Sequence, residues 1–256
     1  MKAQIRHYAL TVLGVDDLGF GAVDDYQSPL SPKIDTFFPK AKTLIVMAFK
    51  ELANCESDNA YLAMGGRLDA MEFIRPCNYK LARYLEKEFA MKAMSTPPSY
   101  PLKMSPENRY GLIAEFSQRH AAFAAGLGTW GRNNLILHPK FGARVLFCTI
   151  ISDVPLPPDK PCQENICNNC NICVEQCPGH ALDGEGKTNE ILCLKHSQPF
   201  GIAGNMRFWK KFAQSDIEEQ KKMVASPEFM SLYQASFIGF QYFCFNCTKF
   251  CPIGTK

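Results

Sequence analysis

The sequence predicts an α/β (α+β) chain in two parts, a mixed domain over residues 1–154 and a smaller, cysteine-rich domain over 155–256. Three observations carry this expectation. Two short, continuous apolar runs, LIVMAF at Leu44–Phe49 and RVLFCTII at Arg144–Ile151, have the length and composition of buried strands. The segment SDVPLPPDKP, Ser152–Pro161, places four prolines in a short polar stretch and reads as a domain boundary. Most of the 12 cysteines follow Pro161, at metal-ligand spacings.

The first part takes its elements in order. GFGAV, Gly19–Val23, is a further strand candidate. NYKLARYLEKEFAMKAM carries Leu81, Tyr84, Leu85 and Phe89 on one helical face, a stripe that serves core packing. SQRHAAFAAGLG is a second helix, with Ser117 near its start and Gly126 and Gly128 marking its end. Cys148 sits within the second apolar run and is read as a buried small hydrophobe. In the second part, the stretch 194–242 between two cysteine motifs is too long for a plain loop. DIEEQKKMV and EFMSLYQASF within it read as helices. NMRFWKKF reads as a solvated helix face with one buried aromatic; the alternative is that Arg207, Trp209 and Lys210 cap a pocket.

Composition bounds the partners. The 256 residues are 46% hydrophobic, enough for one sizeable core or two small domains. A formal charge of +3 without a long basic run gives no case for nucleic acid or for a membrane surface. The apolar patch in MKAQIRHYALTVLGVDDLGF is soon broken by Asp16 and Asp17, so it does not read as a signal peptide, and no twin arginine is present. A cytoplasmic protein without a membrane partner is expected, and disulfides are not.

The cysteines carry the sharpest chemistry. CNNCNICVEQCP, Cys167–Pro178, follows the bacterial ferredoxin spacing, in which the fourth cysteine serves the other cluster of a pair. CFNCTKFCP supplies Cys244, Cys247 and Cys251 before a proline, repeating all but the first cysteine, whose place is taken by Gln241. Exchange of partners then assigns Cys167, Cys170, Cys173 and Cys251 to one 4Fe–4S cluster. The other receives Cys177, Cys244 and Cys247, and lacks one ligand. Cys193, in EILCLKH between the motifs, is the favoured fourth, with Cys162 as the alternative. Structural zinc sites pair separated C-x2-C units, which this pattern does not match.

Two clusters alone would not need the first domain, so that domain is expected to hold the electron acceptor. Its most unusual stretch is AGLGTWGRNN. Gly126, Gly128 and Gly131 permit a close backbone approach to a planar ligand, and Arg132, Asn133 and Asn134 supply polar groups for its edge. Helix caps rich in glycine are also ordinary, so the residues alone leave this open.

FSQRHAAFAAGLGTWG, both cysteine motifs and the borrowed cysteine together resemble the superfamily of epoxyqueuosine reductases and reductive dehalogenases, over nearly all of the chain. The likeness is greatest to short chains termed epoxyqueuosine reductase-like. The resemblance implies a nitroreductase-like, cobalamin-binding domain followed by a bacterial two-cluster ferredoxin-like domain. It implies single electrons delivered from a low-potential ferredoxin or flavodoxin, through the clusters, to a base-off cobalamin that reduces a small molecule. Trp130 then lines the corrin or fills the core. His120 is read as a packed histidine, with cofactor contact or cobalt ligation as alternatives. Two departures stand out. The helical-repeat domain that helps the tRNA-modifying reductase grip tRNA does not follow Cys251 here, and the position of that enzyme's acidic proton donor falls on Leu112. Glu115 and Tyr110 are the nearby candidates for a proton donor. A pure electron carrier, a corrinoid-servicing protein, and flavin in place of cobalamin are the competing expectations.

Overall fold

The computed structural model describes residues 1–98, 102–239 and 242–254. Its centre is an open antiparallel sheet of β1 (Asp17–Ala22), β2 (Thr43–Lys50), β6 (Val145–Ser152) and β3 (Ala93–Thr96), in the order β1-β2-β6-β3. The two apolar runs are the two central strands, paired with Leu44 opposite Ile151 and Ala48 opposite Phe147. They read as continuous rather than alternating because both faces of the sheet are covered. Ile45, Met47 and Phe49 face one core, with Ile5 of α1 (Lys2–His7) and Ile74, Leu81 and Leu85 of α2 (Ala60–Phe89). Leu44, Val46 and Ala48 face the other, with Ala121 and Ala122 of α3 (Gln118–Ala124) and with Ile136. Ile136 belongs to a small hairpin, β4 (Thr129–Trp130) with β5 (Ile136–Leu137).

The helix expected around Leu81 extends well upstream. Asn59 starts it, its side-chain oxygen accepting from the backbone N–H of Tyr61 (3.0 Å) and Leu62 (3.3 Å). Gly65, Gly66 and Pro76 all lie inside it; as local signals they read as breakers, and packing overrides them. Leu81 and Leu85 are fully buried, as the stripe predicted. The helix ends at Phe89 because Ala90 turns left-handed at φ 52°, and the residues after it form β3 rather than more helix. Removing the Asn59 cap with Asn59→Ala should cost about 1 kcal/mol. Thermal unfolding should show this as a fall in Tm of roughly 2–4 °C.

GFGAV is β1, and its glycines have a packing reason. Gly19 and Gly21 point to the same side, where a Cβ would run into the carbonyls of Ala125 and Ala124 at the end of α3. The helix can therefore lie directly on the strand.

The proline-rich segment is strapped to the first part rather than hanging between two. Asp159 is held by Lys2 (2.7 Å) and Arg6 (2.8 Å) and accepts from the Phe20 N–H (2.9 Å), while its own N–H donates to the Phe20 carbonyl (2.7 Å). Leu156 is buried in the core beneath α2.

The second part is helical: α4 (Ile172–Glu175), α5 (Glu190–Ser197), α6 (Ile202–Gln214), α7 (Ile217–Val224), α8 (Pro227–Ile238) and α9 (Asn246–Lys249). The two helices expected in the insertion are α7 and α8. With α6 they share a small core of Phe208, Met223 and Leu232. Phe208 is the buried aromatic of NMRFWKKF, and Trp209 is 46% exposed, so that face is solvated. Gln241 lies outside the described residues. Among the described residues, no helix is long and apolar enough to cross a membrane.

Candidate functional site

The cysteine loops are shaped by their asparagines. Asn165 and Asn168 accept from the N–H of Cys167 (3.2 Å) and Cys170 (3.3 Å), and Asn169 and Asn171 take left-handed backbone at φ 58° and 62°. Asparagine tolerates that conformation better than most residues. The result curls Cys167, Cys170 and Cys173 around one small cavity, which Cys251 and Pro252 complete from the C-terminal motif. Leu137 and Ile253 give it apolar walls.

Cys177, Cys193, Cys244 and Cys247 form the second group. Burial and the neighbouring Cys177 push the Cys193 thiol up, against the lowering effect of its bond to Ser197; burial, then Cys193 and Cys177, push Cys244 up against the Asn246 N–H. Cys247 is pushed up to about 12, first by burial and then by Cys244, Cys177, Cys173 and Cys193. The thiol of Cys162 instead turns to the Glu164 carbonyl. No three His, Cys, Asp or Glu among the described residues are arranged to hold a metal ion. A cluster of four irons is a larger body than one ion and would need its thiols further apart.

These thiols make a pH prediction for the metal-free chain. Cys247 rises from 9.0 to about 12 and Cys55 from 9.0 to about 11, so the folded state keeps protons that the unfolded state loses. Their contribution to stability is whole below about pH 9 and is lost as pH rises toward the folded values. Tm of the iron-free protein, followed against pH, should fall steeply on the alkaline side of pH 9 and be flat just below it.

The glycine turn is not an open cradle. Where a Cβ would point, Gly126 meets the Lys160 carbonyl, Gly128 the Leu137 carbonyl and Gly131 the Asn133 side chain. Protein takes the space that the sequence reading reserved for a planar ligand. The polar residues after it are likewise engaged. Arg132 donates to Asn169 (3.1 Å) and Asn171, Asn133 to the Cys247 carbonyl (3.2 Å), and Asn134 to Thr188 (3.2 Å). Arg132 and Asn133 also line the first cysteine cavity. The stretch read as a cofactor edge thus docks the cysteine loops onto the sheet domain.

His120 bonds Ser117 (2.7 Å) and packs 4.8 Å from the Trp130 ring; burial, then Arg119, lowers its pKa, as suits a packed, neutral histidine. Trp130 lies between His120, Phe123 and the Arg119 guanidinium at the edge of the core. Tyr110 is 67% exposed. Glu115 buries one carboxylate oxygen that has no hydrogen-bond partner among the described residues.

Two arginines passed unnoticed in the sequence. Arg144, 5% exposed, pairs with Glu56 and donates to the carbonyls of Lys249 (2.9 Å), Cys251 (3.0 Å) and Ile253 (3.1 Å). Arg67 forks onto the buried Glu51 and lies 5.1 Å from the Phe245 ring, beside Cys244. Arg144 lines an open cavity of about 810 Å3, whose wall also includes Phe49, Glu51, Cys55, Phe73 and Gly254, and Arg67 is tied to that wall through Glu51. Arg144 carried no signal beyond opening a strand; only its burial reveals it.

No family model matches the chain. The epoxyqueuosine reductase of Listeria monocytogenes is 39% identical over 82 residues, 32% of this chain and 21% of that protein. The matched stretch is thus about a fifth of that relative's length. The solved epoxyqueuosine reductase of Streptococcus thermophilus aligns with 100% of this chain and 66% of its own, at 16% identity and a TM-score of 0.62. The chain is similar in sequence and in fold to the epoxyqueuosine reductases. A second epoxyqueuosine reductase, solved with an epoxyqueuosine-modified tRNA stem loop, aligns over 75% of this chain and 56% of its own (21% identity, TM-score 0.56). A reductive dehalogenase whose structure suggests a mechanism for B12-dependent dehalogenation aligns over 72% and 27% (18% identity, TM-score 0.54). The superfamily that the motifs pointed to is the one to which the chain is similar, and the mixed helix-and-sheet fold is shared.

Proposed function

We propose that the chain is an iron–sulfur reductase of the cobalamin-dependent type, holding two 4Fe–4S clusters that pass single electrons to an acceptor in the sheet domain. The observation that carries this is the sorting of eight cysteines into two groups, with Cys193 completing the second. Cys167, Cys170, Cys173 and Cys251 would hold one cluster; Cys177, Cys193, Cys244 and Cys247 the other. The clusters supply one-electron transfer at low potential. The residues' part is to exclude water with Leu137, Ile253, Leu182 and Phe245, and to fix the loops through Arg132, Asn133 and Arg144.

Protein lies where a Cβ of Gly126, Gly128 or Gly131 would point, so a corrin would be held away from that side of the turn. The volume open to an acceptor is the 810 Å3 cavity, within the usual range for small-molecule sites. One side chain, Arg144, links its wall to Cys251, and the Glu51–Arg67 pair links it toward Cys244. Of the two proton-donor candidates Glu115 is the better on burial, since Tyr110 is largely in water, but neither lines this cavity. A ferredoxin or flavodoxin is the electron donor in this reading. The substrate is a small molecule or a modified nucleoside. Weak net charge is no ground for setting nucleic acid aside when a relative of the same fold is solved with a tRNA stem loop.

The test is anaerobic. Reconstituted protein should carry about eight irons, four for each cluster, and show two reducible EPR signals. Hydroxocobalamin added before desalting should be retained, and after one-electron reduction by a low-potential chemical reductant should show a base-off cobalt(II) EPR signal. Iron without retained corrinoid would remove the cobalamin part and turn the search to flavin; absence of iron would remove the reading altogether.

A further inference from the structure

Arg144 is a buried cation with an unusual set of partners. Its guanidinium reaches the carbonyls of residues 249, 251 and 253, so it grips the chain on both sides of Cys251 and at Cys251 itself. It enters immediately before β6, one of the two central strands, so the grip is anchored to the sheet. Its remaining ion-pair partner, Glu56, is 46% exposed, so water as well as the carboxylate screens that side. The bond to the Cys251 carbonyl is buried, and a charge is less screened where it is buried than where water reaches it.

We propose that Arg144 is a positioning residue for the cluster of Cys167, Cys170, Cys173 and Cys251, fixing the Cys251 loop and raising that cluster's reduction potential. The inference rests on the two-cluster reading above. Each electron taken up makes a cluster more negative, and a fixed positive charge nearby favours the reduced state. Glu56 opposes it: the carboxylate offsets part of the arginine's charge without touching the cysteine loop. The two residues therefore pull the potential in opposite directions.

The experiment is an EPR-monitored redox titration of the full chain, reconstituted anaerobically, in wild type, Arg144→Gln, Arg144→Lys and Glu56→Gln. The second cluster is the internal reference. Arg144→Gln should lower the potential of one cluster and leave the other in place. Glu56→Gln should raise that same potential with iron content unchanged, which a purely structural role would not do. Arg144→Lys keeps the charge but cannot span three carbonyls, so it should lose iron faster while the loaded fraction keeps a near-wild-type potential. If Arg144→Gln does not load, Glu56→Gln decides alone: an upward shift supports the proposal and no shift overturns it. Loaded variants with both potentials at wild-type values overturn it too. Wild-type protein that takes no iron fails the cluster reading itself, a different outcome from loaded protein with unmoved potentials.

Discussion

Replacing Cys193 with serine should leave the chain with about half its iron, one cluster's share. One of the two EPR signals should vanish and the other persist. Cys193 stands on α5, packed against Cys177 and close enough to influence Cys244, and on the proposed reading it would complete a set that the C-terminal motif leaves one thiolate short. A serine hydroxyl keeps the shape but not the soft anionic sulfur that iron prefers. Cys162→Ser is the matched control, because that thiol faces the Glu164 carbonyl; it should keep full iron and both signals. Full iron in Cys193→Ser, or loss in Cys162→Ser, would reverse the assignment.

A second large effect is expected at Gly142. Its φ of +56° is left-handed, and a Cβ there would overlap the Ile253 carbonyl. Gly254 makes the reciprocal approach to Phe141 at φ +76°. Two glycines thus let the C-terminal motif lie against the loop before β6, beside the grip of Arg144 on Cys251. Gly142→Ala adds backbone strain and a clash in one step, and should cost roughly 3 kcal/mol. Tm should fall by about 6–12 °C if each kcal/mol moves it by about 2–4 °C, and iron loading should fall with it. Gly65→Ala offers the contrast. Nothing lies within 4 Å of where that Cβ would go and the site is mid-helix, so stability should rise by about 0.5–1 kcal/mol.

Much of this architecture was legible in residue order. Apolar runs without alternation announced β2 and β6, and the cysteine spacings set out the two groups of thiols for which Cys193, rather than Cys162, is the proposed fourth ligand. The misreadings share a cause, since each needed knowledge of what lies across a gap in sequence. The glycines from Gly126 to Gly131 do mark a close approach, as a glycine-rich turn suggests, but the visitor is the chain's own backbone at Lys160 and Leu137. Arg132, Asn133 and Asn134 do bind at an edge, that of the cysteine loops. The first half of α2 was hidden by Gly65, Gly66 and Pro76, which local propensity penalises and a two-sided core tolerates. Arg144 was invisible because its partners lie 105–109 residues further along the chain.

The strand order has a consequence for the chain's birth. β2 and β3 are joined only through β6, which is made last of the four. Until Ser152 has left the ribosome, β2 has an unpaired edge and two apolar faces, a state prone to sticking to other chains. Once β6 inserts, the sheet closes at one stroke, and every cysteine of the two groups emerges afterwards. Synthesis from the N-terminus therefore offers iron a finished platform, and a pause or truncation before β6 should leave a nascent chain for chaperones rather than a partly working protein.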